Sequence, residues 1–252
     1  MFLENKINEF ENDICRVLAR LAHHIHPQII TRSQSRNADE YDYFKDLFGD
    51  KINADDYLFD GSACVFPGVR RHINGAGKTR AYNPEHTAII DDNTFPRHIW
   101  CFLENGKTYS GPNWQNPGLG EFELAHVFNH KKNEVGFEEP FFSEIQDGLA
   151  PYGEFTCACN VVLLPKGTER PTDNSSAIKV AFYNRYIDLY GEASLNGRIG
   201  LKKDLIPDWY SELVWNEPVL PGSWEQNIER LLKYRTKRIT GLMKKTMPMV
   251  DA

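Results

Sequence analysis

Apolar residues recur at steps of three and four through the first 26 positions: Leu3, Ile7, Phe10, Ile14, Leu18, Leu21 and Ile25. That period predicts one amphipathic helix with its apolar stripe turned to a core. Pro27 is expected to stop it. Residues 32–60 are polar and acidic, with a short aromatic stretch at Tyr41, Tyr43, Phe44 and Phe48. They predict a loop holding a helical turn or two. Residues 61–120 scatter Gly, Pro and Asn between short β-like runs at 87–90 and 98–103, which predicts irregular strand-and-loop structure.

The pattern sharpens after residue 120. Residues 122–128 (FELAHVF) and 160–164 (NVVLL) read as two short strands, the second ended by Pro165 and Gly167. Thr172, Asp173, Asn174 and Ser175 follow as successive capping residues. A helix is expected over Ser176–Tyr190, with Ile178, Phe182 and Leu189 on one side and Gly191 closing it. Pro207, Pro218 and Pro221, interleaved with Trp209, Trp215 and Trp224, predict a packed extended segment. A last helix is expected over 224–245, with Ile228, Leu231, Leu232, Ile239 and Leu242 inward and Arg230, Lys233, Arg235, Lys237, Arg238, Lys244 and Lys245 as its cations. The expected architecture is α+β. A helix and irregular region span 1–120, a strand–strand–helix unit spans 121–191, and a Trp/Pro-rich segment with a basic helix spans 192–252, all in one compact unit.

The unit over 121–191 resembles the HNH family of ββα-metal endonucleases. The residues that carry the likeness are Leu124-Ala125-His126-Val127-Phe128-Asn129-His130-Lys131 and Cys159-Asn160-Val161-Val162-Leu163-Leu164-Pro165. Thr172-Asp173-Asn174 and Arg185–Gly191 continue it. The resemblance implies a metal-dependent DNA endonuclease, often one acting in restriction or other defence against foreign DNA. It makes His126 the general base that takes a proton from water, since imidazole titrates near neutrality. It makes Asn160 the residue that holds the histidine-bearing loop across the hairpin. Metal ligands would come from His130, Asp173 and Asn174, with Glu169 and Glu123 as further candidates. An oxygen-rich set suits Mg²⁺ or Mn²⁺ better than zinc. Lys131, Arg170, Arg235, Lys237 and Arg238 would contact the nucleic acid. The chain departs from the family at Ala125, where a ligand often stands, and it has no histidine after His130. Those departures support an alternative: a catalytically degenerate module that binds nucleic acid or protein.

Composition narrows the setting. The 252 residues carry a formal charge of −6 and 41% hydrophobic residues. The charge is uneven: residues 1–60 hold twelve acidic and seven basic side chains, whereas residues 228–252 hold seven basic and two acidic. DNA contact is therefore expected on one face only. No run is long and apolar enough for a membrane span, and the charged start MFLENKINEFEND predicts no secretory leader. The five cysteines, odd in number and with three of four spacings wide, fit reduced thiols in the cytoplasm. A structural zinc using Cys157 and Cys159 is a third, weaker reading. The run Asn74-Gly75-Ala76-Gly77-Lys78-Thr79 lacks the first glycine of a phosphate loop, that place being His72, so it reads as a hairpin turn. Arg70, Arg71, Lys78 and Arg80 beside it could still touch phosphate. His23, His24 and His26 could suggest a metal, but are expected as protonatable groups near a helix C-terminus, where positive charge is favoured. One ββα site cuts one strand, so a homodimer would supply the second.

Overall fold

The computed structural model describes residues 2–48, 94–107, 118–127, 142–145, 157–168, 170–191 and 199–246. The expected strand at 87–90, the glycine turn at 74–79 with its neighbouring cations, and Glu169, His130 and Lys131 lie outside these residues. The fold is α+β: helices accompany two separate two-stranded antiparallel sheets. The chain divides into two units, each gathered from separated stretches. One holds residues 1–27, 119–150 and 159–220, the other 28–118, 151–158 and 221–252.

The first unit begins with α1 (Phe2–Leu21). Its inward face is Cys15, Leu18, Ala19 and Ala22, all buried. Small residues there let the helix approach α5 (Ser176–Tyr190) and the sheet closely. The expected stripe is therefore displaced: Ile7, Phe10 and Leu21 are exposed, and of its members with described side chains only Leu18 and Ile25 are fully buried. The helix ends at Leu21, earlier than expected. Residues 22–26 then run extended, with His23 bridging Leu163 and Ile25 bridging Val219. His23 N–H donates to the Leu163 carbonyl and Leu163 N–H to the His23 carbonyl, both at 3.0 Å. Long-range backbone bonding outweighs the local helical period here: besides the His23 pair, His26 N–H donates to the Val219 carbonyl, and the His24 carbonyl accepts from Val219 N–H.

β1 (Phe122–His126) pairs antiparallel with β3 (Val161–Pro165), in the register Phe122↔Pro165 to His126↔Val161. β2 (Phe142–Ile145) pairs with β4 (Ile199–Leu201). A short helix α4 (Arg170–Asn174) leads into α5. Ser175 caps α5, its Oγ accepting from Ile178 N–H at 3.1 Å, and Gly191 closes it at φ 68. The left-handed φ explains the glycine. Between β4 and Leu220 the chain turns through 3₁₀ segments at Lys203–Leu205 and Asp208–Glu212.

The second unit is helical among its described residues. α2 (Pro27–Phe48) replaces the expected loop, and Pro27 opens this helix rather than merely ending the previous one. Its missing N–H costs nothing at a first helical position. α3 (Thr94–Asn105) replaces the expected strand at 98–103. The run Ile99–Leu103 is buried along its whole length, and a short unbroken apolar run suits a buried helix as well as a strand. α6 (Trp224–Thr246) lies against α3. Asn227 Nδ2 donates to the Leu103 carbonyl at 3.4 Å, and Gly106, at φ 65, leaves the room that Asn227 occupies.

Candidate functional site

His126 closes β1, and its position is set by the strand pair. Val127 N–H donates to the Asn160 carbonyl at 3.0 Å, which carries the antiparallel ladder one step past His126↔Val161. Asn160 is fully buried. The Asn160 carbonyl thus accepts a main-chain bond across the hairpin.

A small open pocket, with room for about one water, lies where this pair meets the helices. Its lining is Ala125, His126, Val127, Val162, Thr172, Lys179 and Phe182. The end of β1 contributes Ala125, His126 and Val127, α4 contributes Thr172, and α5 contributes Lys179 and Phe182. Lys179 and Phe182 are three apart and share one face of α5. Ser175 fixes the start of that helix, accepting from Ile178 N–H while its own hydroxyl donates to Glu11 Oε1 at 2.7 Å. Lysine, threonine and histidine are residue types able to hold a phosphate or another oxyanion.

Aromatic packing backs the Phe182 wall. His24 stacks on Phe182 at 6.3 Å, Trp215 meets Phe182 edge-on at 5.1 Å, and the Arg185 guanidinium lies 5.6 Å over the Trp215 ring. His24 is fully buried, and burial first, then the charges of Arg185 and His23, push its pKa down to about 3. Burial also lowers His23, whose Nδ1 lies 3.1 Å from Asn216 Nδ2. The amide nitrogen donates, so the ring is neutral with its proton on Nε2. The expectation of protonated histidines at a helix end is thus overturned for His23 and His24: the helix stops before them and their surroundings remove the charge.

The remaining candidates separate. Ser175, not Asp173 or Asn174, caps α5. Asn174 is exposed at the end of α4, while the side chains of Asp173 and Arg170 lie outside the described set. Lys237 is exposed on α6, and Arg238 is described only by its backbone. Arg235, counted from sequence among the DNA-contacting cations, is fully buried. It binds Glu40 and Asn37 of α2 and lies 5.4 Å over the Phe44 ring. Its charge is consumed inside the second unit, so it is unavailable to phosphate.

Among the described residues no group of three His, Cys, Asp or Glu is placed to hold a metal. The described lining of the pocket offers an ammonium and no carboxylate, which does not fit Mg²⁺ or Mn²⁺. Cys15, Cys101, Cys157 and Cys159 are buried free thiols. Burial pushes Cys15 up to about 12 and Cys101 up to about 11, so both are inert. Cys159 Sγ lies 3.3 Å from the Tyr186 hydroxyl.

Sequence reading missed Lys179, although it left a signal. A cation in the first turn of a helix opposes the helix dipole, and such a placement asks for an anion or another local reason. No family model, curated protein or solved structure matches the chain.

Proposed function

We propose that the protein hydrolyses phosphodiester bonds in DNA, with His126 as general base in an HNH-like strand–strand–helix unit. One observation carries the reading: His126, Thr172 and Lys179 line a single pocket at the end of the antiparallel pair. In this reading Lys179 neutralises the scissile phosphate, and the Thr172 hydroxyl donates to a non-bridging oxygen. His126 takes a proton from water as the water oxygen attacks phosphorus. The P–O3′ bond breaks, and the leaving 3′ oxygen takes a proton from solvent. Asn160 is a positioning residue, acting through the main-chain bond that fixes the end of β1. No step is routed through Mg²⁺ or Mn²⁺, because the described lining does not fit either ion.

The test is cleavage of supercoiled plasmid by the full chain, with EDTA, Mg²⁺ or Mn²⁺, comparing the wild type with His126→Ala. Nicking that needs His126 is the expected result. Equal nicking by both proteins, or none by either under every condition, removes the assignment.

A second reading keeps the pocket as a phosphate seat without chemistry: a degenerate module that binds nucleic acid. It is favoured by Ala125, which cannot ligate a metal, and by the absence of a carboxylate among the described lining residues. It predicts salt-dependent DNA binding that survives His126→Ala, with no cleavage in either protein.

A further inference from the structure

α1 carries a second apolar stripe that its own unit leaves uncovered. Ile7 is 56% exposed, Phe10 63%, Val17 57% and Leu21 39%. Large apolar side chains exposed singly are ordinary, but a contiguous row of them marks a contact surface. With half-buried Ile14 these residues step 3, 4, 3, 4 along the helix. That is the a/d spacing of a heptad, with Ile7, Ile14 and Leu21 at a and Phe10 and Val17 at d. The buried face, Cys15, Leu18, Ala19 and Ala22, lies one residue further round. The same helix therefore shows two adjacent apolar stripes, one spent on the fold and one open.

We propose that this open stripe pairs with the same stripe of a second copy of the chain, as a parallel two-stranded coiled coil. Two features select that occupant. A 3.5-residue repeat keeps its seam on one line only against a partner helix that repeats likewise. The flanking charges match in that orientation alone. In a parallel pair Lys6 at g faces Glu11 at e of the other copy, opposite in sign. An antiparallel pair would set Lys6 against Arg20 and Glu11 against Glu11. Glu11 is already oriented by Ser175 Oγ at 2.7 Å. The helix is also preformed on its own unit, so pairing bears no nucleation cost, which would otherwise defeat a seam of about two heptads.

The experiment is sedimentation equilibrium of the full chain across a concentration series. A reversible dimer is expected. Phe10→Glu and Val17→Glu each replace an exposed residue, so each should fold with an unchanged circular dichroism spectrum. Each should also raise the dimer dissociation constant by roughly 100-fold or more, since two charges enter a dry seam. Lys6→Glu should weaken the dimer, and Lys6→Glu with Glu11→Lys should restore it. Val17→Cys should form a symmetric interchain disulfide under mild oxidation, which requires parallel strands. A monomer at every concentration overturns the proposal, because another segment or another protein then covers the stripe. A dimer indifferent to Phe10→Glu and Val17→Glu, or a folded Val17→Cys dimer that does not cross-link, overturns it equally. The result is independent of DNA cleavage.

Discussion

The Val127 amide donates to the Asn160 carbonyl at 3.0 Å, and this bond seals the strand pair immediately beyond His126. It ties a residue next to the candidate base to a fully buried partner. The imidazole therefore stands on a rigid strand end rather than on a loose loop, while Thr172 and Lys179 reach the same pocket from α4 and α5.

If Lys179 seats a phosphate, Lys179→Ala should weaken binding to duplex DNA at every sequence. The slope of log affinity against log salt should fall by about one. Fluorescence anisotropy over a salt series measures it. An unchanged slope would take Lys179 out of the interface.

Arg235 and Lys237 should behave oppositely although they lie two residues apart. Arg235→Met takes from buried Glu40 one of its two cations, Arg36 being the other, so it should cost about 1–3 kcal/mol in urea unfolding. A further Glu40→Leu substitution should recover much of that loss, since a buried pair is often replaceable by apolar packing. Lys237→Ala should leave stability within about 0.5 kcal/mol and lower DNA affinity. A folded, fully stable Arg235→Met protein would contradict the burial of this side chain.

Stability should fall in mild acid, and His24 should cause much of the fall. Its pKa is about 3 in the folded chain against an ordinary 6.5. Between those values only the unfolded chain binds the proton. The contribution is thus complete above about pH 6.5 and is lost as pH drops toward about 3, at up to about 1.4 kcal/mol per pH unit. His23 acts in the same direction. Urea unfolding at pH 7, 6 and 5 should give a flatter profile for His24→Phe, which retains the ring stacking without the titration. Identical profiles would remove His24 as the source.

Ser175→Ala removes both the cap on α5 and the bond to Glu11. A loss of about 1–2 kcal/mol is expected. DNA affinity should drop with it if the first turn of α5 carries Lys179 into the pocket. Calorimetric melting and anisotropy on the same preparation check both effects.

Two of the helices resisted sequence reading for identifiable reasons. α2 buries Ile29, Ile30, Ser33, Asn37, Glu40 and Phe44, a regular helical face. Its middle three members are polar, so the period is invisible to a hydrophobicity pattern. They can be buried because Arg235 and Thr236 of α6, far away in sequence, bind Glu40, and Arg235 also binds Asn37. α3 hid in an unbroken apolar run that length and periodicity alone do not resolve.

What the sequence by itself determined is local. Ser175 and Gly191 mark the ends of α5, the NVVLL run makes β3, and the period after Trp224 makes α6, because capping bonds, left-handed φ and helical spacing act within a few residues. The tertiary structure alone decided which face of α1 is buried, that His23 and Ile25 leave the helix to bridge Leu163 and Val219, and that Lys179 joins His126. It also decided that Arg235 belongs to the core while Lys237 does not. Each of those outcomes depends on a partner distant along the chain. The free energy of burying or neutralising a side chain is set by that partner, not by the side chain's own neighbours.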